Sequence, residues 1–151
     1  MTTATLAEKL RNWGITFDGT TDPILFIQHL EERATAYEIK VEKMPQAIPG
    51  LLTDTAEHWF RTSQLLGKSW VNFKKAFLDF FLPPRYFRRL EDEIRTRHQR
   101  PGETFKQYLV KIRLMMHRAG YNSEQELERI YENLQPDYML FNRRHEFTTL
   151  E

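Results

Sequence analysis

Apolar residues recur at steps of three and four along most of the chain, the period of a helix with one buried face. After Gly19-Thr20-Thr21, Asp22 suits an N-cap and Pro23 the first helical position. Phe26, Ile27, Leu30, Ala34 and Tyr37 then share a face, so the spacing predicts a helix over about 23–38. The stretch 43–50 reads as a short helix broken by Pro49-Gly50, and a further helix carries Leu52, Ala56, Trp59 and Phe60 on its inner face. Ser69 precedes Trp70, Phe73, Phe77, Phe80 and Phe81, a long aromatic stripe that Pro83-Pro84 must end, because a proline ring cannot continue the helix.

Beyond that joint, Phe87, Leu90 and Ile94 mark one helix, stopped before Pro101-Gly102. Phe105, Tyr108, Leu109, Ile112, Met115, Met116 and Ala119 mark the next, with Gly120 at its C-terminal end. Ser123 with Glu126 has capping-box spacing ahead of Leu127, Ile130, Tyr131 and Leu134, and Pro136-Asp137 opens a last helix with Tyr138 and Phe141. Only Trp13 to Asp18, where Ile15 and Phe17 alternate, reads as extended. The expected fold is all-α: two small helical lobes, 1–83 and 84–151, joined by the Pro-Pro linker.

Composition narrows the function. Of 151 residues 40% are hydrophobic, including 11 Phe, which favours an aromatic core over disorder. The apolar runs are too short to span a membrane, and the N-terminal stretch has no apolar core of a secretory signal. With no Cys, thiolate zinc sites, zinc knuckles and cysteine nucleophiles are excluded within the chain, and a reducing, cytoplasmic setting fits. Residues 1–83 carry 9 basic against 10 acidic side chains and residues 84–151 carry 13 against 11, a balance unlike the strongly basic face of a dedicated nucleic-acid binder.

Candidate chemistry thins out on inspection. Gly67-Lys68-Ser69 ends like a phosphate loop, but the position of that loop's first glycine is Thr62, inside a helical pattern with no strand before it. Gly67 reads better as a helix stop, Ser69 as a cap and Lys68 as a surface charge. Asp54 and His58 lie one turn apart, yet two ligands do not make a zinc site. Glu31-Glu32 and Glu91-Asp92-Glu93 read as solvated faces with ion pairs. No catalytic residue, metal site or cofactor is expected. The basic run of Arg85, Arg88, Arg89, Arg95, Arg97 and Arg100 is a weak candidate for phosphate contact, since no aromatic platform interleaves it.

Several ordered motifs carry a resemblance. Phe17-Asp18-Gly19 through Asp22-Pro23, Phe26-Ile27 and Leu30-Glu31, then Ala56-Glu57-His58-Trp59-Phe60, and Trp70 with Phe73, Phe77 and Phe81, resemble the opening of the gypsy-type LTR retrotransposon Gag capsid domain. Gln99-Arg100-Pro101-Gly102-Glu103-Thr104-Phe105 with Tyr108 is similar to the major homology region of such capsids, and Tyr131 to Leu134 with Pro136-Asp137-Tyr138 to their tail. The resemblance covers about 17–145 and includes domesticated, Arc-like host relatives.

The resemblance implies a non-catalytic protein that self-assembles through both lobes into particles around element RNA. RNA binding would fall to regions outside this chain, since the Cys-His knuckle that often follows is not here. It further implies that Gln99, Gly102, Glu103, Phe105 and Tyr108 form a structural network, with Glu103 meeting the positive start of a helix. For assembly surfaces, Tyr37, Ile39, Val41 and Met44 in the first lobe and Tyr131, Met139, Leu140 and Phe147 in the second lie where amphipathic spacing fades. An alternative is an Arc-like adaptor that holds a short apolar peptide in a groove near Ile15, Phe17, Phe26 and Leu30, by strand addition to the extended segment. For such a protein, release in vesicles would accompany a cytoplasmic location. A basic RNA-binding domain is a third reading, disfavoured by the charge balance.

Overall fold

A computed structural model describes residues 2–65 and 67–134. The chain divides into two compact units between Pro84 and Arg85.

The first unit contains α1 (Thr3–Asn12), α2 (Pro23–Ala36), two 3-10 helices (Val41–Gln46 and Ile48–Leu51), α3 (Asp54–Ser63) and α4 (Trp70–Phe81). Helix α1 is absent from the expectation above. Its apolar signal is two residues, Leu6 and Leu10, yet both are buried, because the 3-10 segments supply the surface they pack on. The predicted helix over 43–50 is instead those 3-10 helices, since Pro45 and Pro49 remove the donors an α-helix needs. Leu52 falls outside α3 and sits in an isolated parallel bridge with Phe17.

Local chemistry explains the boundaries. Asp22 accepts from the amides of Ile24 (3.0 Å) and Leu25 (3.3 Å), with Pro23 at the first helical position. Helix α2 closes in a Schellman pattern: Ile39 N–H donates to Ala34 C=O at 2.8 Å and Glu38 N–H to Thr35 C=O at 3.2 Å. Glu38 fills the left-handed position, at φ 57°, where glycine is usual. Ser69 Oγ accepts from Asn72 N–H at 3.1 Å and starts α4. The stop of α3 is Gln64, left-handed at φ 58°, rather than Gly67, which at φ 81° turns the chain three residues later.

The second unit contains α5 (Tyr86–Thr96), α6 (Phe105–Arg118) and α7 (Ser123–Asn133), each packed on the other two. Leu90, Ile94, Tyr108, Ile112, Met116 and Ile130 form its core. The capping box of α7 lies one residue earlier than its spacing suggests: Asn122 and Gln125 exchange side-chain and backbone bonds, not Ser123 and Glu126. The expected helix from Pro136, with Tyr138 and Phe141, lies outside the described residues. Among the described residues no helix is long and apolar enough to cross a membrane.

Candidate functional site

The stretch from Arg97 to Tyr108 forms one connected polar structure. Pro101 and Gly102 occupy the centre of a turn closed by Glu103 N–H donating to Arg100 C=O at 3.0 Å. Gly102 has φ +80°, the value the third residue of a type II turn requires, with Pro at the second. The turn carries Glu103 back over itself: its Oε1 accepts from Arg100 N–H at 3.0 Å, and Gln99 Nε2 donates to Glu103 C=O at 2.9 Å. On the other oxygen, Glu103 Oε2 accepts from Arg97 at 2.6 Å and lies 3.4 Å from Lys111 Nζ. The Arg97 and Glu103 side chains are only 9% and 6% exposed, so each charge depends on the other.

The knot extends into the core. The Arg97 guanidinium lies over the Tyr108 ring, 5.4 Å from its centroid, and donates to His98 C=O. Tyr108 O–H donates to Arg97 C=O at 3.2 Å. Asn133, buried at the end of α7, donates to Ile94 C=O and, at 3.1 Å, to Arg97 C=O. It thereby satisfies carbonyls that the end of α5 would leave bare. His98 Nδ1 donates to Asn133 C=O at 2.6 Å; a carbonyl only accepts, so that ring nitrogen carries the proton.

Electrostatics follow this geometry. The Arg97 hydrogen bond, with that from the Arg100 amide, holds the Glu103 carboxyl down at about 2. Burial pushes the Tyr108 hydroxyl up to about 12. Glu103 is thus an ionised acceptor with donors on both oxygens, suited to fixing the turn rather than to proton transfer. Its charge meets Arg97 and Lys111 rather than the start of α6, which Thr104 caps by accepting from Gln107 N–H at 3.1 Å.

The structure brings Gln99, Gly102, Glu103, Phe105 and Tyr108 together at this turn, with Phe105 packed at the edge of the core and Tyr108 fully inside. The residues missed from sequence are Arg97, Lys111 and Asn133. Asn133 left a signal, since it sits three residues after Ile130 on the apolar face of α7.

Other expectations need correction. Arg97 is no phosphate candidate, being buried in the knot, and Arg95 pairs with Asp92 on the same helix. Arg85, Arg88 and Arg89 are exposed. Phe17, Phe26 and Leu30 are core side chains, 1%, 4% and 0% exposed, so no peptide groove exists at those residues, and Ile15 alone is part-exposed. The extended segment is also occupied: Phe17 N–H donates to Leu51 C=O and Phe17 C=O accepts from Thr53 N–H, both at 3.0 Å. Met44 is fully buried and leaves the list of assembly surfaces, whereas Tyr37 is exposed and Ile39, Val41 and Tyr131 are half-buried. Met139, Leu140 and Phe147 lie outside the described residues. Glu31 is no mere solvated face: it accepts from Trp70 Nε1 at 3.0 Å and pairs with Lys74, tying α2 to α4. Glu91 likewise accepts from Tyr121 O–H at 2.8 Å.

Among the described residues both units are all-α, and comparison with known proteins places that fold. No family profile matches the chain. It is 27% identical over 157 residues to the activity-regulated cytoskeleton-associated protein, Arc, of Mus musculus, covering 96% of this chain. With the same protein of Rattus norvegicus it is 28% identical over 132 residues, covering 86%. The chain spans only 39% and 33% of the length of these two relatives. Among solved structures, the Drosophila dArc2 capsid matches over 87% of this chain and 84% of its own, with 24% identity and a TM-score of 0.53. The chain is thus similar in sequence to Arc over most of its length, and similar in fold to the dArc2 capsid.

Proposed function

We propose that the chain is a structural capsid module that associates with copies of itself, its two units acting as the N-terminal and C-terminal lobes of a Gag-type capsid. The observation that carries this reading is the fold shared with the dArc2 capsid across most of both chains. Weak contacts made by each of two lobes add up when every subunit makes several of them, and a closed or open shell follows from their symmetry. Exposed apolar side chains are on hand for such contacts: Val71 on α4, and Val110 and Leu114 one turn apart on α6. The Arg97–Glu103 knot would serve by keeping the second lobe's helices in fixed register. Element RNA would be held by regions outside this chain, and the role is structural rather than catalytic.

The test is negative-stain microscopy and light scattering over rising protein and salt concentration. Particles, tubes or concentration-dependent dimers are expected; a monomer at every concentration and ionic strength overturns the reading. The adaptor alternative loses its expected groove, because three of its four residues are core.

A further inference from the structure

The first unit holds a cleft apart from the predicted groove, and two of its lining residues, Tyr37 and Ile39, are also candidates for assembly contacts. It has a volume of about 340 Å³ and opens between the start of α1, the segment after α2 and the first 3-10 helix. Its apolar surface comes from Leu6, Ile39 and Tyr37, the last 61% exposed and stacked on Trp13 at 5.9 Å. Lys40 and Lys43 stand at its edge, both exposed, and neither has a carboxylate partner among the described residues. One acid, Glu38, faces them, and the first turn of α1 has none, so its positive end is not neutralised locally. Thr3 Oγ1 donates to Gln46 Oε1 at 3.0 Å and ties the two walls together.

We infer that this cleft binds a short acidic peptide of a partner protein, an apolar side chain resting on Leu6, Tyr37 and Ile39 and flanking carboxylates meeting Lys40 and Lys43. Charge complementarity selects the acid, and the apolar floor selects a peptide over a bare anion. Lysines act as mobile point charges, which suits carboxylates at variable positions. The inference does not rest on self-assembly, and its readout is separate from particle formation.

The experiment is fluorescence-anisotropy titration of the full chain with the labelled peptide acetyl-Glu-Asp-Leu-Phe-Asp-Glu. Two controls accompany it: one with every acid changed to its amide, and one with Leu-Phe replaced by Gly-Gly. Saturable binding in the micromolar range is expected for the first, weaker by about tenfold for each control. The double variant Lys40→Glu/Lys43→Glu should bind about tenfold more weakly while keeping its circular dichroism and melting temperature, since both side chains are exposed. Tyr37→Ala should weaken binding without abolishing the charge preference. Equal binding of all three peptides, unchanged binding by the double variant, or no saturation at about 1 mM peptide overturns the proposal. So does a double variant that binds as expected of the wild type but no longer assembles, which would make the cleft a contact between copies.

Discussion

The two units solve the same problem with different chemistry. In the first, Phe17, Phe26, Trp59, Phe73, Phe77 and Phe81 meet in a continuous ring cluster, with centroid separations such as 5.0 Å for Phe17–Phe77 and 5.2 Å for Trp59–Phe81. In the second, Tyr108 is the one fully buried ring among the described residues, and much of the order comes from Arg97, Glu103 and Asn133. Ring packing gains mostly from buried area and close contact, so it tolerates changes that conserve volume. A buried charged knot contributes less net energy but depends on every partner, because a lost partner strands another charge. The first unit should therefore be sensitive to size and the second to single polar atoms and to acid.

The sharpest way to separate them is Phe77→Ala. It removes a ring that touches Phe17, Phe26, Trp59, Phe73 and Phe81, and should destabilise the first unit by about 3–5 kcal/mol. Amide spectra under urea should show first-unit signals lost early and second-unit signals unmoved. Loss of both together would mean the units are not independently stable.

Next in size is Glu103→Ala, which leaves Arg97 buried without its carboxylate and should lower the melting temperature of the second unit alone. The paired change Arg97→Met/Glu103→Leu should recover much of that loss, since no charge is then stranded. If the pair is no better than the single variant, the knot's role is the turn's geometry rather than charge compensation.

Acid sharpens the same contrast. The folded Glu103 carboxyl sits at about 2 against an ordinary 4.5, so the unfolded chain binds a proton that the folded one refuses. Its contribution is complete above about pH 4.5 and fades as pH falls toward about 2. Denaturation across that range should show this extra acid sensitivity in the second unit, and Glu103→Gln should reduce it.

Smaller effects test the first unit's opening motif. Gly19 has φ +103°, and a Cβ there would meet Thr55 Cβ at 3.3 Å, so Gly19→Ala should cost about 1–2 kcal/mol in a denaturant titration. Asp22→Ala removes the α2 cap and should cost about 1 kcal/mol. A larger loss from Asp22 than from Gly19 would mean that the loop before α2 relaxes easily.

The opening motif also shows what was readable from letters. Asp22-Pro23 marks a helix start by local hydrogen bonding and a fixed φ, and Ser69 does so for α4, so both boundaries follow from neighbours in sequence. Helix α1 was not readable, because two leucines on a polar decapeptide become a face only when the 3-10 segments cover them. The Tyr37–Lys43 cleft has the same origin, its walls lying more than thirty residues apart along the chain. Nor did Phe17 betray its depth, since an alternating apolar pair such as Ile15 and Phe17 looks alike at an open edge and in a core.

What the sequence determined by itself, then, was the all-α class, most helix stretches and the capsid resemblance, since periodicity, caps and prolines act over a few residues. Tertiary structure alone decided the partners of the buried charges. Arg97 looked like one of six basic surface residues, yet the turn at Pro101-Gly102 swings Glu103 onto it and α7 brings Asn133 behind it. Burial and pairing depend on residues distant in the chain, and a linear pattern holds no record of those distances.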